Sequence, residues 1–308
     1  MLTRRLLACL MFLLSLTLFA AGVVACLNLS SGWPYLADIF SAPLMWAALI
    51  TTLLLINLRQ RAPALLSLCG LCLLLVALWP QALPSAPARD PGSQSMKIVF
   101  ANLFNSNRTP EQIDLWLRQE NPDLIATVES NWLARQHLTP LLEARYAYRA
   151  SSGDTEIYSR FPLSKPQRTP VGHGLITVSV RAPEGAFKLA VAHFNRPWPF
   201  TPAPKQPGEA RDLIAALSPL KDQPLILVGD FNTTPSAAVL GQVRRELSLT
   251  AAPVIGGTWP ADLPAPFRVG IDNVLASPHF SLKNRRTGPE YGSDHLPVRV
   301  DLYRARAS

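Results

Sequence analysis

Three uncharged, Leu-rich runs open the chain: Leu6 to Asn28, Phe40 to Leu58 and Ala62 to Trp79. Each is close to the roughly 20 apolar residues that a helix needs to cross a bilayer's hydrocarbon core, and together they predict three transmembrane helices. The pattern changes beyond Trp79. The stretch "PQALPSAPARDPGS", Pro80 to Ser93, is dense in proline and predicts a stiff, solvated tether. The expected organisation is a membrane anchor over 1–80, a Pro-rich linker over 81–95 and one domain over 96–308.

In that last part short β-rich runs alternate with helical patterns. "KIVFAN" predicts a strand. Thr109, Pro110 and Gln112 then offer an N-cap, a first helical residue and the far side of a capping box, ahead of a helix that should stop before Asn121-Pro122. "DLIATVE" predicts a strand, Trp132 to about Leu142 a helix, and "LITVSV" and "FKLAVAHFN" two more strands. Gly208 to Leu217 reads as a helix, and "PLILVGDFN", "IDNVLAS" and "LPVRVDL" close the series as strands. Runs such as "LILV" are apolar on both faces, which places them inside layers rather than on a half-exposed sheet. The fold class is α/β, and no internal repeat is visible.

Charge gives the anchor a direction. Arg4 and Arg5 precede the first run and Arg59 and Arg61 sit between the second and third, while the connection Ser30 to Ile39 carries no basic residue. Lys and Arg beside short loops stay on the cytoplasmic side, so three crossings put everything after Trp79 outside the cytoplasm. For a Gram-negative bacterium this is a multi-pass protein of the inner membrane with its domain in the periplasm. "GVVAC", ending at Cys26, resembles a lipoprotein cleavage site, but the two spans that follow favour an uncleaved first helix. All four cysteines fall in the apolar runs, so the domain has neither a disulfide framework nor a thiolate metal site. From Arg89 onward 25 Lys plus Arg face 20 Asp plus Glu, a net charge of +5 that favours phosphate-bearing partners mildly and equally suits a plain solvated surface.

The chemistry must therefore use oxygen and imidazole. Asn102, Glu129, His193 and Asp230 each fall where a β-run ends, although the runs are far apart in sequence. Strand ends are where α/β folds usually hold ligands, and a shared sheet edge would bring these side chains together. Any one of them alone reads as an ordinary turn residue. Carboxylates with an amide suit Mg²⁺ better than Zn²⁺, which would call for more His or Cys. A His aligned by a carboxylate serves as a general base or stabilises charge. Metal, imidazole and amide donors are the parts needed to hydrolyse a phosphate ester. A Ser nucleophile is the rival, since Ser293 adjoins Asp294 and His295, but no Gly-x-Ser-x-Gly elbow is present.

"VGDFNTTP" (228–235), "IDNVLAS" (271–277) and "GSDHLPV" (292–298), in this order and spacing, resemble the closing motifs of the endonuclease/exonuclease/phosphatase superfamily, whose prototype is deoxyribonuclease I. "ANLFNSN", "PDLIATVES", "YSRFPL" and "AHFNRPWPF" resemble its earlier motifs, and the likeness runs from about Lys97 to Leu302. Membrane-tethered bacterial members are the nearest in kind. The resemblance implies a four-layer α/β sandwich, two facing mixed sheets flanked by helices, preceded here by three transmembrane helices. It implies that Glu129 binds Mg²⁺ or Mn²⁺ with help from Asn102, and that Asp230 and Asn232 hold the attacking water and a phosphate oxygen. His193 would donate to the phosphate, Asp272 would orient His295, and Asp294 would assist metal or nucleophile.

Three positions depart from the family's pattern: Val128 stands where a Gln precedes the metal-binding Glu, Phe104 where a polar residue is common, and Gly270 where an Arg is expected. Arg160 reads as half of a structural ion pair. His137, His173 and His279 read as surface or packing residues, and Trp198, Phe200 and Trp259 as core aromatics before base-stacking or lipid-touching ones. The function this implies is a membrane-anchored, metal-dependent phosphoesterase cleaving a phosphodiester outside the cytoplasm, nuclease-like. A phospholipid phosphodiesterase or a phosphomonoesterase on the same fold is the alternative. A catalytically inactive binding module is the alternative of another class, and the intact acidic residues and Asp294-His295 speak against it.

Overall fold

The computed structural model describes residues 2–30, 32–197, 205–254 and 256–306. Its N-terminal part is helical: α1 (Leu2–Leu27), α2 (Gly32–Ile39), α3 (Ser41–Asn57) and α4 (Arg61–Ala82). Helices α1 and α4 are each long and apolar enough to cross a membrane, and α2 with α3, bent by 71° at their junction, make a third candidate span. Helices α1 and α4 touch backbone to backbone. A Cβ on Gly22 would stand 2.8 Å from the Gly70 carbonyl oxygen, the close approach that small residues allow between apolar helices.

The connection Ser30 to Ile39, expected as a loop, contains α2. Pro34 suits the first turn, and Tyr35 and Ile39, four residues apart, share one face with Leu36 and Phe40 beside them. That face is buried in the domain's core with Phe231, Ala237 and Val239. Its polar groups are used as well. The Tyr35 hydroxyl lies 2.7 Å from Gln206 Oε1 and 2.6 Å from Thr233 Oγ1, and Asp38 Oδ2 accepts the Ala238 N–H at 2.9 Å.

The domain follows as β1 (Met96–Asn102), α5 (Ile113–Glu120), β2 (Leu124–Val128), α6 (Thr139–Glu143), β3 (Tyr148–Ser152), β4 (Thr155–Ser159), β5 (Gln167–Thr169), β6 (Gly174–Ala182) and β7 (Gly185–His193). Then come α7 (Gln206–Leu217), β8 (Leu225–Asp230), α8 (Ala238–Glu246), β9 (Thr250–Ala251), β10 (Asp272–Ala276), β11 (Phe280–Thr287) and β12 (Val298–Arg304). Two six-stranded sheets run β11-β12-β1-β2-β4-β3 and β5-β6-β7-β8-β10-β9. Both are mixed: β1 pairs β2 in parallel and β7 pairs β8 in parallel, among antiparallel neighbours. Alternation explains the layers. Ile98 and Phe100 of β1 face the core between the sheets while Val99 and Ala101 face α5; Ile226 and Val228 of β8 face the same inner core while Leu225 and Leu227 face α7 and α8. The result is the expected α/β sandwich of two mixed sheets flanked by helices.

Local expectations fared unevenly. Helix α5 ends at Glu120, and Asn121, with φ of 49°, closes it in the left-handed conformation. The capping box at Thr109 does not form. Asn107 Oδ1 already accepts the Thr109 N–H at 2.9 Å, and a 3₁₀ turn over Pro110–Gln112 leads into the helix. Trp132 to Leu142 is helical but widens into a π turn over Ala134–Leu138 just before Pro140, which cannot donate to the ladder. The hairpin β3–β4, α8 and β11 are elements the patterning passed over.

The Pro-rich segment is largely exposed, as expected of a solvated tether, but it is held at several points. It lies along the sandwich: Thr250 Oγ1 donates to the Ser85 carbonyl, Arg89 bridges to Ala305, the Asp90 N–H donates to the Arg304 carbonyl at 2.9 Å, and Ser93 Oγ donates to Glu184 Oε2 at 2.9 Å. Proline removes donors, but the intervening residues keep theirs and spend them on strand edges.

Candidate active site

Register does the first part of the assembly. In the second sheet His193 stands opposite Asp230 and Asp230 opposite Asp272, so three neighbouring strands present three polar side chains on one line. Strand β10 runs antiparallel, which is why its first residue meets the last residue of β8. In the facing sheet Asn102 pairs with Val128, and Glu129 follows immediately. The two sheet ends meet through Asn102, whose Nδ2 donates to Glu129 Oε1 at 2.9 Å and to Asp230 Oδ2 at 3.0 Å.

Glu129, Asn232 and Phe104 all have positive φ, at 55°, 48° and 60°. Such backbones are uncommon for non-glycine residues and concentrate where a site imposes them. Here each has a visible cause. The Asn105 N–H donates to Glu129 Oε2 at 2.9 Å, the Phe104 N–H to Asn102 Oδ1 at 2.9 Å, and the Asn232 N–H to Asp230 Oδ1 at 2.8 Å. Asn232 Nδ2 also donates to the Phe194 carbonyl at 2.9 Å. The turn after β8 is thus folded back on its own carboxylate.

His295 Nδ1 lies 2.9 Å from Asp272 Oδ2, and its Nε2 lies 3.7 Å from Asp230 Oδ2 and 3.9 Å from Asp294 Oδ1. His193 Nε2 lies 3.7 Å from both Glu129 Oε1 and Asp230 Oδ2. The two imidazoles are charged differently. Burial pulls the pKa of His295 down, but the carboxylates of Asp272 and Asp230 outweigh it and hold the ring protonated up to about 10. Burial and then His173 push His193 down to about 4, so its approaches to Glu129 and Asp230 are not ion pairs at neutral pH. Burial, reinforced by Asp272, raises Asp230 to about 7. Burial would also raise Glu129, but the donors Asn102 and Asn105 outweigh it and keep its carboxyl below the ordinary value.

All eight residues singled out by sequence come together at this end of the sandwich: Asn102, Glu129, His193, Asp230, Asn232, Asp272, Asp294 and His295. Ser293 is excluded as a nucleophile. Its hydroxyl donates to the Asn102 carbonyl at 2.7 Å and accepts the His295 N–H at 3.1 Å, so it is a turn residue. Arg160 pairs with Asp123 at 3.3 Å, as expected.

His173, read as a surface or packing residue, is exposed and sets its ring 4.4 Å from that of His193, tilted by 30°, on the wall of the pocket. Asp154, Arg196 and Trp259 line the same pocket of about 200 Å³. Arg196 carried a signal, since it stands three residues after His193; Asp154, in the turn of a hairpin the patterning missed, carried none. Trp259 packs against the core as read, and its indole Nε1–H also donates to Asp294 Oδ2 at 3.1 Å. Trp198 and Phe200 lie outside the described residues. Of the departures, Val128 is wholly buried between the sheets, and a Cβ at Gly270 would stand 2.3 Å from Val254 Cγ1, so an Arg has no room there.

The sequence profile of the Endonuclease/Exonuclease/phosphatase family matches residues 99–295, a span holding every one of these side chains. The chain belongs to that family. Solved structures agree in fold. An endonuclease/exonuclease/phosphatase from Beutenbergia cavernae DSM 12333 is 20% identical with a TM-score of 0.55, covering 70% of this chain and 72% of that one. TDP2 of D. rerio, complexed with single-strand DNA product, is 14% identical with a TM-score of 0.56, covering 68% and 99%. Sphingomyelinase C from Streptomyces griseocarneus is 14% identical with a TM-score of 0.52, covering 68% and 99%. At such identities the likeness is one of architecture. No curated protein matches the chain at the sequence level.

The donor set fits a divalent metal ion. Glu129, His193 and Asp230 offer ligand atoms within 4.8 Å of one another, as do Asp230, Asp272 and His295. Buried atoms are also left without partners here, namely Asp272 Oδ1, Asp294 Oδ1 and His193 Nδ1. Four carboxylates around one imidazolium leave a negative excess that a hard cation would balance.

Proposed function

We propose that this family member is a metal-dependent phosphoesterase that cleaves a phosphodiester. The observation that carries the reading is the continuous set of contacts from Glu129 through Asn102 and Asp230 to His295 and Asp272, assembled from both sheets. Glu129, helped by Asn102, and Asp294 at the rim are the residues that would hold Mg²⁺ or Mn²⁺. Such an ion would polarise a phosphate oxygen and offset charge gathering on it.

The remaining roles belong to the chain. Asp230, a buried carboxyl titrating near neutrality, is suited to take a proton from an attacking water, since a base works best with a pKa near the working pH. Asn232 is fixed beside it by the turn. His295, an imidazolium held by Asp272, supplies positive charge and a proton at Nε2 to the phosphate or the leaving oxygen. His193, neutral, donates one N–H to a phosphate oxygen, and Arg196 at the rim neutralises a second. A binding module without chemistry is disfavoured, because strained backbones and shifted carboxyls would then serve nothing.

We keep the boundaries 1–80, 81–95 and 96–308 with one amendment, since α2 packs into the domain's core. We read α1, α3 and α4 as the spans, the chain as multi-pass in the inner membrane, and the domain as extracytoplasmic. The test uses the full chain in detergent with Mg²⁺ or Mn²⁺ against bis(p-nitrophenyl) phosphate, plasmid DNA, RNA and phospholipid. Glu129→Gln keeps the side chain's shape and removes one anionic ligand, so activity should fall at least about a hundredfold, as for loss of a charge-stabilising group, and calorimetric metal affinity should drop. Unchanged metal titration in a folded Glu129→Gln chain would show that the site lies elsewhere.

A further inference from the structure

We propose that the site works on a phosphate ester borne by a lipid of the bilayer that holds the N-terminal helices. The inference rests on the phosphoesterase reading above. Its basis is where the helices meet the domain. Tyr35 reaches Thr233, the residue after Asn232, and Asp38 reaches Ala238 in the same segment. At the end of α4, Gln81 Oε1 accepts from Ser236 Oγ at 2.8 Å and the Gln81 carbonyl accepts the Val254 N–H at 2.8 Å. The 3₁₀ turn Ala265–Phe267, in the loop that begins at site-lining Trp259, passes within 8 Å of α3, Cα to Cα. Every one of these contacts falls on chain leaving the site end of the sandwich. At the opposite end Arg89 and Ser93 of the linker make the contacts.

Distances follow from chain geometry. Consecutive Cα atoms are about 3.8 Å apart, so the Tyr35 hydroxyl lies within roughly 10–15 Å of Asn232. Helix α2 is joined to α1 by four residues and to α3 by one, so it lies at the bilayer surface if those helices span it. The headgroup zone adds only about 5–8 Å on each side of the hydrocarbon core. A lipid phosphate is therefore within reach of the pocket without leaving its leaflet. The loop between site and helices is shaped for this contact: Leu263 and Phe267 are 39% and 42% exposed, and at the ends of α2 and α4 Trp33 is 71% and Leu83 60% exposed. Aromatic and aliphatic side chains at that level are how proteins seat themselves in an interface. Nucleic acid fits less well. Among the described residues lining the pocket, Arg196 is the one arginine or lysine against Glu129, Asp154, Asp230 and Asp294, whereas a polynucleotide needs cations along its backbone.

Two measurements on the full chain test this. In the first, Leu263→Cys or Phe267→Cys carries an environment-sensitive dye, in a chain whose four native cysteines are serine, in nanodiscs of phosphatidylethanolamine and phosphatidylglycerol. Brominated acyl chains should quench the dye at both positions and leave unaffected a control at Asp222→Cys, exposed just before β8 at the end opposite the site; quenching no greater than the control's overturns the proposal. In the second, the Leu263→Ser/Phe267→Ser double variant is assayed on vesicles of the same lipids and on bis(p-nitrophenyl) phosphate. Vesicle hydrolysis should fall roughly tenfold, as expected when two partly inserted apolar side chains are lost, while hydrolysis of the soluble ester stays unchanged. Equal retention of both, or wild-type cleavage of the soluble ester and plasmid DNA but not of lipid, would overturn the lipid inference and leave the phosphoesterase reading standing. Failure of wild type on every phosphate ester would overturn both.

Discussion

The charge state of the site gives metal-free stability a defined pH dependence. His295 has an ordinary pKa of 6.5 and one of about 10 in the fold. Between those values the folded chain keeps a proton that the unfolded chain has released, so the contribution is complete below pH 6.5 and is lost as pH rises through about 10. The slope is about 1.4 kcal/mol per pH unit, and the whole window amounts to roughly 3–5 kcal/mol as an upper bound. Below it two groups oppose each other. His193, lowered to about 4, makes stability rise with pH between 4 and 6.5, while Asp230, raised from 3.8 to about 7, makes it fall over nearly the same interval. These cancel to first order and leave the alkaline fall as the visible feature. The assay is urea unfolding of the full chain in detergent with EDTA, followed by tryptophan fluorescence, in wild type and His295→Gln. Subtracting one from the other removes the tyrosines and lysines that also titrate near pH 10. A difference that stays flat from pH 6.5 to 10 would refute the assignment of an imidazolium to His295.

Three further outcomes are expected. His295→Ala and Asp272→Asn should each reduce turnover severely, by analogy with the roughly 10⁴-fold loss when an orienting Asp is removed from a serine protease, and the double variant should be no worse than His295→Ala; multiplying losses in folded protein would show that the two do not act as one unit. Tyr35→Phe keeps the ring and removes the hydroxyl that donates to Gln206 and accepts from Thr233, so it should destabilise the domain by about 1 kcal/mol, whereas Tyr35→Ala should cost about 3–5 kcal/mol as other large core truncations do. Equal midpoints in thermal unfolding for wild type and Tyr35→Ala would mean that α2 is not part of the core. A C-terminal alkaline phosphatase fusion should be active and an ordinary fluorescent-protein fusion dark; the reverse would overturn the three-span topology.

What the sequence determined by itself is what local periodicity and specific spacing encode. The strands buried on both faces, such as "LILV", announced layers because every position was apolar, and β1 and β8 do present alternate residues to two cores. The site residues were legible because each sits at a change from strand to turn, and register then aligns His193, Asp230 and Asp272. Tertiary structure alone decided the rest, for physical reasons that differ from place to place. The hairpin Tyr148–Ser159 carries polar residues because Arg149 pairs with Glu143 and Glu156 across its surface, so it lacked the apolar pattern of a strand. The charge of each histidine was invisible, since burial and neighbouring carboxylates set it and both are properties of the assembled site. Helix α2 and the Pro-rich segment read as connectors because they are short. Only the assembled domain supplies the partners: Phe231, Thr233 and Ala238 bring α2 into the core, and the strand edges at Arg304 and Ala305 hold the largely exposed Pro-rich segment against the sandwich.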